Sequence, residues 1–156
     1  MIMKIYSHRG NLEGPNPERE NDPDYILEAL QEKFPVEVDC WWKDGDLYFG
    51  HDGPQYKVKT DFIQQNKYMM VLHAKNFEAV RWLRNRDVHY FYHENDPYTI
   101  TSWQWTWMYP NTENLYDELT IMAVPELVNL FDRYMLPHGE SIGGVCTDYP
   151  YNWRVK

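Results

Sequence analysis

Two cysteines in 156 residues, Cys40 and Cys146, are too few and too far apart for a disulfide framework or a thiolate metal site. Each lies in an apolar run, so both are expected to be reduced and buried. Basic charge is scarce: 15 Lys and Arg stand against 24 Asp and Glu, a formal net charge of −9. Binding to nucleic acid needs a basic footprint, so no nucleic-acid partner is expected. An anionic small molecule has to be met by a local positive cluster, for which Arg9, Lys75 and a bound metal are the candidates. No apolar run reaches the roughly 20 residues of a membrane span. Residues 1–6 hold no apolar stretch of signal-peptide length. A soluble, cytoplasmic protein with no membrane span is therefore expected. Repeats and low-complexity tracts are also lacking, and the length suits one domain over residues 1–156.

What is plentiful is aromatic side chain: 17% of the residues, with 7 Trp and 13 Tyr. Such residues fill a core with few side chains, but their polar tips need partners or solvent. Residues 3–7 read as a strand, and residues 11–21 as a loop broken by Gly14-Pro15-Asn16-Pro17. Asp22-Pro23 is a helix start, followed by Ile26, Leu27, Leu30 and Phe34 at helical spacing, with Pro35 closing the segment. Val36 to Trp42 alternates as a strand, with Val36, Val38 and Cys40 on one face and Glu37, Asp39 and Trp41 on the other. The Asp44-Gly45 dipeptide predicts a tight hairpin that returns the chain along Leu47-Tyr48-Phe49 and brings His51 back toward Glu37 and Asp39.

Further on, residues 61–65 read as a short helix and residues 68–72 as a strand leading into His73-Ala74-Lys75. Asn76 caps a helix with Phe77, Val80 and Leu83 on its apolar face. Strands are expected at 88–92, twice within 98–109, at 119–124 and at 143–146. Pro125 opens a helix with Leu127, Leu130, Phe131 and Tyr134 inward. Strands alternating with helices predict a parallel sheet with crossover helices. His8, Asp39, Lys75, His93, Glu126 and Asp148 each follow or end a strand, and in a β/α barrel such positions converge on one rim. The length is well below the usual barrel of about 250 residues, so helices must be shortened or missing.

Two histidines (His8, His51), an arginine and a carboxylate pair are the groups needed to cleave a phosphate ester beside a divalent metal. The ordered set Ser7-His8-Arg9-Gly10, Glu20-Asn21, Glu37-Val38-Asp39, Asp44-Gly45, His51-Asp52 and Thr147-Asp148-Tyr149-Pro150 resembles the glycerophosphodiester phosphodiesterases, of the phospholipase-C-like phosphodiesterase superfamily. The likeness covers the first third of the chain closely and its last residues. In the middle, where that family has Glu-x-Lys, this chain has His73-Ala74-Lys75: the lysine is kept and the carboxylate is replaced by histidine.

The resemblance implies a compact, shortened (β/α)8 TIM-type barrel and a metal-dependent hydrolase of a small-molecule phosphodiester. It implies Mg2+ or Ca2+, with Mn2+ admitted by the histidine, held by Glu37, Asp39 and His73. His8 and His51 are the implied acid and base, and Arg9 and Lys75 the phosphate contacts. Each has a plainer reading. The carboxylates can be a solvated pair at a strand end, and His73 a packing histidine with Glu126 in its place as ligand. Arg9 and Lys75 can be ion-pair partners. Trp41, Trp42, Trp103, Trp105 and Trp107 form a stacking platform or simply fill the core, and His93-Glu94-Asn95-Asp96 lines the mouth or is a polar loop. A non-catalytic barrel binding a phosphorylated or sugar ligand, and an enzyme of surface-polysaccharide phosphate metabolism, are the other functions these residues fit.

Overall fold

The computed structural model describes residues 2–110, 116–136 and 141–155. Its elements in chain order are β1 (Lys4–His8), α1 (Pro23–Gln31), β2 (Val36–Lys43), β3 (Asp46–Phe49), β4 (Tyr56–Val58), α2 (Thr60–Asn66), β5 (Met70–Ala74), α3 (Phe77–Leu83), β6 (Tyr90–Phe91), β7 (Tyr98–Ile100), β8 (Thr106–Met108), β9 (Thr120–Ala123), β10 (Gly144–Thr147) and α4 (Pro150–Trp153). The first helix begins where the Asp-Pro pair puts it. The Asp22 side chain accepts from the Asp24 N–H, satisfying one of the donors a helix start leaves open. Lys33, at φ 65°, turns the chain out of the helix before Phe34.

All ten strands belong to one mixed sheet. Its parallel part runs β6-β5-β2-β1-β10-β9-β8. Antiparallel additions are β3 and β4 on the far end of β2, and β7 on β8. The hairpin between β2 and β3 turns at Asp44 and Gly45, with φ of 52° and 85°, the double left-handed conformation that the Asp-Gly pair favours. No strand ladder joins β6 to β8 among the described residues, so the sheet is not closed. Its two ends nonetheless meet. The Phe91 and Trp107 rings stack at 4.6 Å. Ser102 donates through its N–H to Tyr90 O and through Oγ to Val88 O.

The alternation of each strand sorts side chains onto two faces. Val36, Val38 and Cys40 of β2 and Met70, Leu72 and Ala74 of β5 pack with Ile26 and Ala29 of α1 and with Ala79 and Leu83 of α3. Met122 and Val145 pack with Trp153 of α4. Tyr6, Val71, Phe91, Trp107, Ile121 and Cys146 make a separate aromatic-rich cluster. His8 follows Tyr6, and His73 follows Val71, by two residues, so both share that cluster's face. Both cysteines are buried and free.

Three sequence expectations give way to the structure. The helix after Pro125 is replaced by two 3-10 turns, Pro125–Val128 and Arg133–Met135. Val124 and Asn129 are left-handed (φ 48° and 61°), which no continuing helix tolerates, and Leu127, Phe131 and Tyr134 are exposed. In α3 the buried residues are Ala79, Trp82 and Leu83, while Phe77 is exposed. The strand expected over 88–92 shortens to Tyr90–Phe91. No helix among the described residues is long and apolar enough to cross a membrane.

Candidate metal centre and its surroundings

Side chains from three adjacent strands meet where β1 and β5 end. The register sets His8 opposite Glu37 and Asp39 opposite His73. One ligand atom from each of Glu37, Asp39 and His73 lies within 4.8 Å of the others, spacing suited to a metal ion. Glu37 is 3% exposed and Asp39 0%, so the reading of this pair as a solvated strand end is corrected. His73 Nδ1 is 3.2 Å from Asp39 Oδ1 and 4.0 Å from Glu37 Oε1. Glu37 Oε2, Asp39 Oδ1 and His73 Nε2 are buried and have no hydrogen-bond partner. Buried polar atoms are ordinarily satisfied, and two unpartnered carboxylate oxygens, with His73 turned toward both acids through Nδ1, fit a cation. His73 also stacks on Phe91 at 4.6 Å and on His93 at 4.8 Å, which fixes its ring.

Cations of the protein surround the carboxylates. Arg9 Nε lies 2.9 Å from Asp39 Oδ2, Arg9 Nη1 donates to Glu20 Oε2 at 3.1 Å, and Lys75 Nζ is 3.8 Å from Asp39 Oδ1. Asn21 clamps Asp39 from both sides: its Nδ2 donates to Asp39 Oδ2 at 3.0 Å, and its Oδ1 accepts from the Asp39 N–H at 2.9 Å. Burial alone would raise the Asp39 carboxyl, but His73, Arg9 and Asn21 outweigh it and hold that carboxyl well below its usual range. Glu37 moves the other way: burial and the neighbouring Asp39 charge raise it, against the pull of His8, Arg9 and His73. Asp39 thus carries the settled negative charge, and Glu37 is the carboxylate that a bound cation would stabilise most.

His8 sits beside the pair with its Nε2 3.9 Å from Glu37 Oε2 and its Nδ1 2.7 Å from Asp148 Oδ1. Burial opposes charge on this ring, but the Asp148 hydrogen bond and Glu37 raise its pKa overall. Asp148 is itself held: Asn11 Nδ2 donates to its Oδ1 at 2.8 Å, and Glu126 accepts from the Asp148 N–H at 2.6 Å and from Thr147 Oγ1. Glu126 therefore anchors the chain behind Asp148 and is not one of the clustered ligand residues.

His51 is placed differently. The hairpin does bring its backbone back, since the Gly50 N–H donates to Asp39 O at 3.1 Å. Its side chain, 44% exposed, is held by Asp52 at 2.7 Å, with no hydrogen bond or ion pair to Glu37, Asp39 or His8 among the described residues. Of the tryptophans, Trp107 is core, while Trp41 spends its indole N–H on Gly50 O and Trp42 stacks on Trp82. His93 joins the site by its stack on His73, while Glu94, Asn95 and Asp96 are exposed, so the two readings of that segment divide between its residues. Asn11 carries no mark in the sequence, and Asn21 enters only through the Glu20-Asn21 pair of the resemblance. Both lie in an irregular loop where no periodicity marks them and where Arg9, Gly10, Gly14 and Asn21 all have positive φ. Comparison of the chain with family models, curated proteins and solved structures gives no match.

Proposed function

We propose that this chain is a metal-dependent phosphodiesterase acting on a glycerophosphodiester or a related small phosphodiester, built on a compact TIM-type barrel. The observation that carries the reading is the buried group of Glu37, Asp39 and His73, in which each acid keeps one oxygen without a hydrogen-bond partner, beside the His8–Asp148 pair. The barrel reading is supported by the parallel strand path and by the contact of its two ends through Phe91, Trp107 and Ser102. Glu37, Asp39 and His73 would hold Mg2+ or Mn2+; Ca2+, which takes six to eight oxygens, is served less well by two carboxylates and an imidazole. When bound, the ion supplies charge stabilisation at the phosphoryl oxygens.

The protein's own groups divide the remaining work. Asp148 accepts the Nδ1 proton of His8, which leaves Nε2 as the proton acceptor facing the site. His8 takes the proton from a hydroxyl of the substrate's glycerol, and that oxygen attacks phosphorus as the bond to the departing alcohol breaks. Arg9 and Lys75 hold phosphate oxygens. The departing oxygen needs a proton, and His51 delivers it once its ring leaves Asp52 and turns inward. A cyclic phosphate results, which water opens with the roles reversed.

The outward position of His51 favours a second reading, a barrel that binds a phosphorylated or sugar ligand without cleaving it. Hydrolysis of a panel of glycerophosphodiesters in Mg2+ and in Mn2+ distinguishes the two. The first reading predicts metal-dependent turnover that falls about 10²- to 10⁴-fold in His8→Gln, while metal affinity is retained. Metal-dependent ligand binding with no turnover of any diester leaves the second.

A further inference from the structure

Where β1, β5 and β6 begin, at the opposite end of these strands from the carboxylates, lies a cavity of about 290 Å³. Lys4, Lys33 and Arg154 line it, and no carboxylate-bearing residue does. None of the three cations forms a salt bridge among the described residues, although Arg19, Lys57 and Lys67 each have one. Arg154 also donates to the Glu32 carbonyl and lies over the Phe34 ring, and Lys4 Nζ lies 5.2 Å from the Trp105 ring; none of these partners is a carboxylate, so in a chain of net charge −9 the three cations make a local positive field that draws in an anion. The other wall is aromatic: Trp103 and Tyr68 are 37% and 71% exposed, with ring centroids 6.4 Å apart. One face of Trp103 lies flat on His89, at 4.7 Å and 2°. His89 is buried and fixed by its Nε2 contact with Thr101 Oγ1 at 2.9 Å. The indole plane is thus held in place before anything binds, which lowers the cost of stacking against it.

We propose that this cavity binds a small organic anion carrying a flat ring, of the size and chemistry of a nucleoside monophosphate. The ring packs against Trp103 and Tyr68, and the anionic group faces Lys4, Lys33 and Arg154. Both halves are needed. Rings alone would take a neutral aromatic, and cations alone would take any phosphate. The site uses none of the residues assigned to phosphodiester cleavage and stands apart from that assignment.

Titration of the full chain with adenosine monophosphate in the presence of a chelator, followed by tryptophan fluorescence and calorimetry, tests it. Expected are saturable binding that weakens with added salt, and affinity at least about tenfold lower for adenosine and for inorganic phosphate. Lys33→Glu changes an exposed side chain and should weaken binding of the monophosphate by about tenfold or more, and Trp103→Ala likewise. The proposal is overturned if the monophosphate does not saturate, if neither variant changes its affinity, or if inorganic phosphate binds as tightly. It is also overturned if Lys75→Ala, at the carboxylate end, abolishes binding that Lys33→Glu leaves intact.

Discussion

At Asp39 the chain concentrates more polar contact than at any neighbouring carboxylate: Arg9, Lys75, His73 and Asn21 all reach it. Glu37, two residues away on the same face, has fewer such contacts, and each of the two acids keeps one oxygen without a hydrogen-bond partner. The pair was legible because strict alternation on an apolar strand isolates two acids on one face. The contacts of His8 and Asn11 with Asp148 were not, since hydrogen bonds across about 140 residues leave no local signature. A second residue-scale consequence lies at His89, whose burial, with Lys4 nearby, lowers its pKa to about 4 from 6.5. The native state then refuses a proton that the unfolded chain accepts. Stability is complete above about pH 6.5, falls as the pH drops toward 4, and levels off below, by about 3 kcal/mol in all. Comparing urea midpoints of wild type and His89→Gln across that range checks it: the variant should lose this part of the acid slope, and parallel curves would contradict the assignment.

At the scale of elements, local chemistry was a good guide wherever a turn or cap was explicit. The Asp22-Pro23 start, the Asp44-Gly45 hairpin and the Asn76 cap all form. It misled after Pro125, where the apolar spacing of Leu127, Leu130, Phe131 and Tyr134 suggested a helix but two left-handed residues break the run. Asn76 does more than cap. Its Oδ1 accepts from the Ala79 and Trp42 N–H groups, and its Nδ2 donates to Trp42 O at 2.9 Å, tying α3 to β2 just beyond Asp39 and His73. Asn76→Ala therefore removes a cap and leaves Trp42 backbone groups without partners. A loss of about 2 kcal/mol is expected, read as a lower urea midpoint at unchanged slope. A change under about 0.5 kcal/mol would show the tie to be unimportant.

For the whole molecule, the parallel order and the gathering of strand-end polar residues followed from alternating strands and helices, whereas the shortness of the chain gave no sign of how the sheet's ends meet. They do so by ring stacking and a serine bridge. The parallel ladders of β1 and β5 on β2 place His8, Glu37, Asp39 and His73 together, and that grouping makes cation binding the property on which the functional account rests. Calorimetric titration of the apo protein with Mg2+, Mn2+ and Ca2+, repeated on Glu37→Ala and Asp39→Ala, measures it directly. One saturable site is predicted in the wild type, tighter for Mg2+ or Mn2+ than for Ca2+. Its occupancy at a hundredfold excess over Kd should add about 2.7 kcal/mol of stability. Both variants should remain folded and lose the site. Absence of binding in the wild type, or affinity unchanged in both variants, would contradict the account.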